Sequence, residues 1–194
     1  RLNLDIDALV TYNREITKNI EFGINAGASI FNRTFRYEYQ STDGLIVPGV
    51  YSLNNTQGPV QATNYLEEKS IRSLYGAANL DLYNAVFLSF TARNDWSSTL
   101  SPEHNSYFYP SVSLSTMLSE FIKMPEFVNY MKLYGSWAQV SSDLAPYSIY
   151  STYNKAVTYG STQSVYYPEG IVNPNILPEK SSSYEMGLST GLFN

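Results

Sequence analysis

Few residues in this sequence are of a type, and at a spacing, that could do covalent chemistry. Cysteine is absent and His104 is the only histidine, so there is no thiolate nucleophile, no disulfide and no Cys-ligated metal centre. His104 sits in a polar stretch over residues 101–106 with no cysteine partner, as expected of a polar residue at the surface. The pair Glu67-Glu68 has the elements of acid–base work, but that chemistry needs two carboxylates facing each other across a substrate. Adjacent residues of an extended chain point to opposite faces, so a solvated loop edge is the better reading. Asp5 and Asp7 do share a face, where solvation rather than ion coordination is expected. No catalytic residue, metal site or cofactor follows from these constellations.

The aromatic residues are the richer prospect. Tyr147, Tyr150, Tyr153, Tyr159, Tyr166 and Tyr167 fall in one long loop, and Tyr51 and Tyr65 in another. Tyrosine faces stack on sugar rings, pack against partner proteins and pack on each other; these three uses remain open. Arg93, Asn94, Asp95 and Trp96 stand where a strand meets its loop, and are expected to order the base of that loop rather than to touch substrate.

The elements that must position these residues are strands. Leu2, Leu4, Ile6, Ala8, Val10 and Tyr12 alternate with Asn3, Asp5, Asp7 and Thr11, with Leu9 as the exception. Such alternation marks a strand, and its length suits the roughly 9–11 residues that a tilted strand needs to cross a bilayer core. A polar turn is expected over residues 13–18. Ile20, Phe22, Ile24, Ala26, Ala28 and Ile30 make a second strand of the same kind. An irregular segment is expected over residues 34–69, punctuated by Asp43-Gly44, Pro48-Gly49, Asn54-Asn55 and Gly58-Pro59. A third strand covers about residues 71–83. After a tight turn at Asn84-Ala85, the fourth carries Val86, Leu88, Phe90 and Ala92. A loop over 95–106 precedes a fifth strand with Val112, Leu114, Thr116 and Leu118. Residues 119–129, broken by Pro125, read as a connector with about one helical turn. The sixth strand spans about 130–140, the longest loop 141–180, and a seventh strand closes the sequence.

Bulk composition agrees. Of the 194 residues 15% are aromatic, 18 of them tyrosines, and only 15% are charged, below the roughly 25% usual in soluble domains. No apolar run reaches the ~18 residues of a membrane-spanning helix. The net charge of −5, with no basic stripe, argues against a nucleic-acid partner.

The connections run short, long, short, medium, short, long. Transmembrane barrels place short turns on the periplasmic side and longer loops outside, whereas a soluble sandwich has no reason for that order. Aromatic residues near the short connections (Tyr12, Phe22, Tyr83, Phe87, Phe121, Phe127 and Tyr130) suit an interfacial girdle. The fold class expected is therefore all-β: about seven antiparallel strands of a larger transmembrane β-barrel with long extracellular loops. In such a barrel the face bearing Asp5 and Asp7 looks onto the lumen or a plug. The sequons Asn32-Arg33-Thr34 and Asn54-Asn55-Thr56 are then incidental. Seven is odd where bacterial single-chain barrels are even, and an open sheet in lipid leaves unpaired edges. Residues 1–194 are thus expected to be part of a larger barrel whose remaining strands lie elsewhere.

Several blocks carry a family likeness: Arg93-Asn94-Asp95-Trp96-Ser97-Ser98-Thr99-Leu100, Phe108-Tyr109-Pro110-Ser111, Met124-Pro125-Glu126-Phe127, Leu133-Tyr134-Gly135-Ser136-Trp137-Ala138-Gln139-Val140, Asn173-Pro174-Asn175-Ile176-Leu177-Pro178-Glu179 and Ser183-Tyr184-Glu185-Met186-Gly187-Leu188. In this order they resemble the barrel of SusC/RagA-type TonB-linked outer-membrane transporters. They run from about residue 71 to the end, while the first seventy residues are compatible but less diagnostic. The resemblance implies a barrel of about 22 strands, a plug, a TonB-contacting segment that this sequence does not show, and a SusD-like surface lipoprotein as capping partner. It also implies a Gram-negative outer-membrane location and import of oligosaccharides or peptides, without enzymatic activity. The rival from another class is a soluble extracellular β-sandwich serving as a binding or adhesin module, which would bury one face of each strand against a second sheet. A TonB-dependent siderophore or cofactor receptor shares the barrel but not these blocks. An outer-membrane hydrolase lacks a nucleophile–base pair.

Overall fold

A computed structural model describes residues 1–156, 160 and 162–193. Seven long strands form one antiparallel sheet: β1 (Leu2–Thr17), β2 (Ile20–Ser41), β3 (Gln61–Leu82), β4 (Val86–Ser97), β5 (Ser106–Met117), β6 (Val128–Ser142) and, after two short strands, β9 (Glu179–Leu192). Each pairs with its sequence neighbour, in the order β1-β2-β3-β4-β5-β6-β9. The short strands β7 (Asn154–Lys155) and β8 (Val165–Tyr166) pair only with each other, inside the last loop.

Cross-strand partners share a face, so the register sorts the side chains. Ile6, Ile30, Arg72 and Trp96 lie in one row; Tyr12, Ile24, Ala78, Phe90, Val112, Trp137 and Tyr184 lie in another on the same face. This face is apolar along most of its height. The other carries Asp7, Ser29, Ser73 and Asp95 in one row, and Asn79, Ser89, Ser113, Ser136 and Glu185 in another. No second sheet covers either face among the described residues, and the apolar face stays open: Val10 is 73% exposed, Leu74 56% and Leu188 59%. Each such side chain gains about 1.5–3 kcal/mol when taken out of water, a gain that lipid supplies here in place of a protein core. The sandwich alternative is thereby excluded, because its strands would pack on a partner sheet.

Two ends of the sheet differ. At one, two of the three connections are tight. Asn19 N–H donates to Thr17 Oγ1 in the β1–β2 turn. Tyr83 and Asn84 take φ of 58° and 52°, a mirror-image turn whose twist matches that of the flanking strands, closed by Ala85 N–H donating to the Leu82 carbonyl at 3.0 Å. The third connection contains a single 3-10 turn, Leu118–Glu120. At the other end lie residues 42–60, 98–105 and 143–178. The expected order of short and long connections holds except at the third connection, residues 118–127, which is longer than 98–105; the strand count of the main sheet stands.

The boundaries do not all stand. Residues 34–69 are not irregular: β2 and β3 continue in unbroken register to Ser41 opposite Gln61, leaving only 42–60 as loop. The cause is physical. Beyond the apolar band neither face needs to be apolar, so Arg36, Glu38 and Gln40 replace the aliphatic residues and the usual strand signal fades although the ladder does not. In the same way β1 runs through to Thr17, and β4 and β5 shorten the expected 95–106 loop to 98–105. The aromatic girdle is also only partly as expected. Tyr12 and Phe22 belong to the apolar face, whereas Phe87 pairs with Asp81 and Tyr130 with Gly191 on the polar one.

Candidate functional site

The polar face is wired into a lateral chain of contacts. Tyr75 on β3 reaches across β2 and donates to Asp7 on β1, with Oδ1 at 2.7 Å and Oδ2 at 2.8 Å. It can do so because Gly27 stands between them: a methyl group at that position would overlap the Tyr75 ring. Gly187 gives Tyr134 the same freedom on the β6–β9 pair. Arg93 on β4 lies over the Tyr75 ring at 5.5 Å, within cation–π range. Its Nη2 donates to Ser73 Oγ (2.8 Å) and its Nε to Asp95 Oδ1 (2.8 Å). Tyr109 on β5 donates to the other oxygen, Asp95 Oδ2, at 2.7 Å. Tyr107 stacks beside Tyr109, the ring centroids 6.1 Å apart. One continuous path thus crosses β1 to β5 on the polar face, linking two carboxylates, phenols and a guanidinium.

Nearer the long loops a second cluster fastens the 143–178 loop to the sheet. Asp143, just past the end of β6, receives Lys69 Nζ at 2.6 Å, Ser97 Oγ at 2.5 Å and Thr99 Oγ1 at 3.1 Å. Its side chain is 11% exposed, and that of Lys69 14%. Burial pushes the Asp143 carboxyl up, but the bonds from Lys69, Ser97 and Thr99 prevail and hold it below the ordinary carboxylate value. Charge-assisted bonds of this kind are stronger than neutral ones.

Past the end of β4, β2 and β3 continue as a two-stranded ribbon. Its polar-face side carries Phe35, Tyr37 and Tyr39 on β2, with Tyr65 opposite Tyr37 on β3. Phe35 and Tyr65 meet edge to face at 6.3 Å; Tyr37 and Tyr39 lie nearly parallel at 6.5 Å. Arg33 pairs with Glu67 at the foot of this row. Tyr37 and Tyr39 are each about half exposed. A cleft of ≈ 530 Å³ opens beside the ribbon, between Asn32, Glu68 and Ser70 and the loop residues Pro146, Tyr147 and Tyr150.

The residues singled out in the sequence are distributed among these features. Arg93, Asn94, Asp95 and Trp96 form the loop end of β4, which runs to Ser97, and split by face. Arg93 and Asp95 join the inner path, Asn94 donates to Ser106 Oγ at 3.0 Å, and Trp96 lies opposite Arg72 on the apolar face. The tyrosines form no single cluster. Tyr65 is on the ribbon and donates to Glu67 Oε2. Tyr147 accepts from Glu68 N–H at 3.2 Å, and Tyr150 borders the same cleft. Tyr153 and Tyr167 pack edge to face at 5.6 Å. Tyr166 belongs to β8, and Tyr51 is 90% exposed. Tyr159 lies outside the described residues. Glu67 and Glu68 do fall on opposite faces, and no group of metal-ligating residues occurs among the described residues.

Sequence reading missed two sets of residues. Phe35, Tyr37 and Tyr39 carried a signal, aromatics at every second position, which the turn dipeptides further on obscured. Lys69, Ser97, Thr99 and Asp143 carried none, because polar residues 74 positions apart (Lys69 and Asp143) meet only through the sheet.

Comparison with known proteins places this geometry. The model of the family described as TonB dependent receptor-like, beta-barrel matches residues 2–194. The TonB-dependent receptor SusC of Bacteroides thetaiotaomicron is 26% identical over an alignment covering 100% of this chain and 20% of that protein. The TonB-dependent receptor P3 of Formosa agariphila is 25% identical over 74% of this chain and 15% of its own length. Among solved structures, that of the RagAB peptide transporter superposes with a TM-score of 0.89 at 17% identity, over 99% of this chain and 22% of the matched one. The RagAB peptide importer in its open-open state gives 0.85 at the same identity. The chain spans about a fifth or less of the length of these relatives.

Proposed function

Since the chain belongs to the TonB dependent receptor-like β-barrel family and is a SusC-like outer-membrane β-barrel segment, we propose that it forms one arc of the wall of a nutrient importer. The whole protein would take up oligosaccharides or peptides, with transport driven through TonB, and would work with a SusD-like surface lipoprotein. The segment itself has a scaffolding and contact role and no catalytic one. Residues 1–194 supply barrel strands and outer loops, with plug and remaining strands contributed from outside them.

The observation that carries this reading is the division of the sheet into an apolar face open to lipid and a polar face knit by the Asp7–Tyr75–Arg93–Asp95–Tyr109 path. A wall between hydrocarbon and a water-filled passage requires that division. The loop tyrosines Tyr51, Tyr147, Tyr150, Tyr153, Tyr159, Tyr166 and Tyr167, with Tyr65 on the ribbon, supply contacts to solute or capping partner. Arg93 and Asp95 hold the loop-end portion of the wall in shape.

The test is uptake of labelled oligosaccharides and peptides by cells with and without the gene, each with and without a protonophore. Uptake that falls on deletion, and falls equally when the proton gradient is collapsed, supports an energised importer. Uptake insensitive to both removes the proposal.

A further inference from the structure

One cation lies on the side of the wall that is otherwise apolar. Arg72 on β3 belongs to the row of Ile6, Ile30 and Trp96 and is exposed. Arg33, Lys69 and Arg93 project from the polar face, and each holds a carboxylate: Glu67, Asp143 and Asp95. Among the described residues no carboxylate pairs with Arg72. Its height accounts for its being tolerated there. Arg72 stands ten residues before Leu82, the end of β3 at the tight turn, which is roughly 34 Å along a strand. For strands tilted roughly 35–45° this is about 24–28 Å along the membrane normal, against an apolar band about 25 Å tall. Arg72 therefore sits at the rim of the band on the long-loop side. A lipid-facing charge is costly at the bilayer midplane and nearly free at the interface.

Arg72 also borders a cleft of ≈ 660 Å³ whose lining is of two kinds. Ala28 and Leu74, one row nearer the tight turns, give it an apolar floor; Ser98 and Asn105, at the loop end, give it polar groups, and Trp96 flanks it. We propose that this cleft binds a phosphorylated lipid of the outer leaflet, with the phosphate on Arg72 and the start of an acyl chain over Ala28 and Leu74. A guanidinium fork matches two phosphate oxygens, and lipid phosphates lie at the rim of the hydrocarbon, where Arg72 stands without a counter-charge. Trp is the side chain that settles at this level of a membrane. An apolar floor directly below a cation fits an amphiphile and gives nothing to a free anion. At this level β1, β2 and β4 flank β3 within the described sheet. Strands added at β1 or β9 would extend the wall sideways and leave Arg72 facing lipid. The inference needs only the outer-membrane wall and goes beyond the importer reading, since it does not depend on what the barrel carries.

The test uses the full-length protein purified in detergent and titrated with dioleoyl phosphatidic acid, the lipid-bound species being resolved by native mass spectrometry. Arg72→Gln is expected to weaken the most tightly held lipid by about tenfold or more, as for loss of one charge-assisted contact. Arg72→Lys, which keeps the charge but not the fork, is expected to weaken it less. Arg36→Gln removes a charge on the same face six residues beyond Ile30, outside the apolar band, and is expected to stay within about twofold. Dioleoylglycerol, with the same chains and no phosphate, is expected to bind the unaltered protein at least about tenfold more weakly, a comparison independent of any variant's folding. Equal binding by Arg72→Gln or equal binding of dioleoylglycerol overturns the site. An equal loss in Arg36→Gln also overturns it, by showing only general attraction of charge. Full displacement of the lipid by millimolar inorganic phosphate would make a free anion the ligand and overturn the lipid assignment. A dimer that Arg72→Gln dissociates would do the same, because a second copy would then cover the cleft.

Discussion

The lower part of the β2–β3 pair and the ribbon that continues it are one pair of strands in two environments, and they are held by different means. Below Ser97 the pair is flanked by β1 and β4, and Ile24, Ala78 and their row-mates meet lipid. Above it β4 is absent, β1 reaches only Thr34, and there is no apolar face. A two-stranded ribbon alone in water is marginal at best, so this one depends on side-chain pairs across its width and on what docks against it. The Phe35–Tyr65 contact and the Arg33–Glu67 pair do the first; Asp143 and Tyr147, from the 143–178 loop, do the second. Solvent holds the wall together, and specific partners hold the ribbon.

The difference is broken most forcefully by placing a charge in the wall. Phe90→Arg, midway along the apolar face of β4, should cost about 2–4 kcal/mol in a bilayer, measured by guanidinium unfolding of the protein in vesicles. An arginine at Tyr37 on the ribbon should show no such lipid penalty. If both substitutions cost the same, the apolar face is not lipid-facing.

Next in size is the fastening of the loop. Asp143→Ala leaves Lys69 without its carboxylate and should cost about 1–2 kcal/mol, allowing for partial exposure, seen as faster proteolysis and hydrogen exchange of residues 143–178. The wall should keep its protection. The pH dependence has a definite sign. Asp143 is held below its ordinary value, so its contribution is complete above the unfolded carboxyl value of about 3.9 and is lost as the pH falls through the lower folded one. Loop protection should therefore be flat from neutral down to about pH 4–5 and decline below that, and Asp143→Asn should remove the decline. An acid-insensitive loop in the unaltered protein would exclude Asp143 as the fastener.

Gly187→Ala tests the inner face. The new methyl overlaps the Tyr134 ring, which can swing into the lumen, so a cost near the low end of the overpacking range, about 1 kcal/mol, is expected. Tyr134→Ala combined with Gly187→Ala should recover most of it; strict additivity would mean that the two do not interact. Tyr37→Ala should have the smallest effect on stability, about 0.2–1 kcal/mol from lost cross-strand packing, confined to exchange rates of residues 34–41 and 61–68.

The same contrast explains how much was legible in the sequence. Where one face meets lipid, as in Leu2 to Tyr12 or Val86 to Ala92, the alternation is imposed residue by residue, and strand, register and face could all be read. On the ribbon, Arg36, Glu38 and Gln40 obey the ladder but not the hydrophobic code, so the strands went unread there while Pro48-Gly49 and Gly58-Pro59 drew attention to loops. Trp96 and Asp95 could be marked as notable, yet only the register reveals that they face opposite ways. The Asp143 fastening was illegible because its members come from three separate parts of the chain and none is unusual in itself.

That fastening also has a place in time. Lys69 and Asp143 are separated by β4, β5 and β6, and closing so large a loop costs chain entropy that nearer contacts must first offset. The Lys69–Asp143 pair can form only after those three strands have found their register. It is therefore a late event in assembly, and the outer loop settles onto the ribbon only once the wall beneath it is complete. A wall with a slipped strand would hold Asp143 away from Lys69 and keep its outer surface unfinished, so that a protease in the medium could distinguish a correctly built arc from a faulty one.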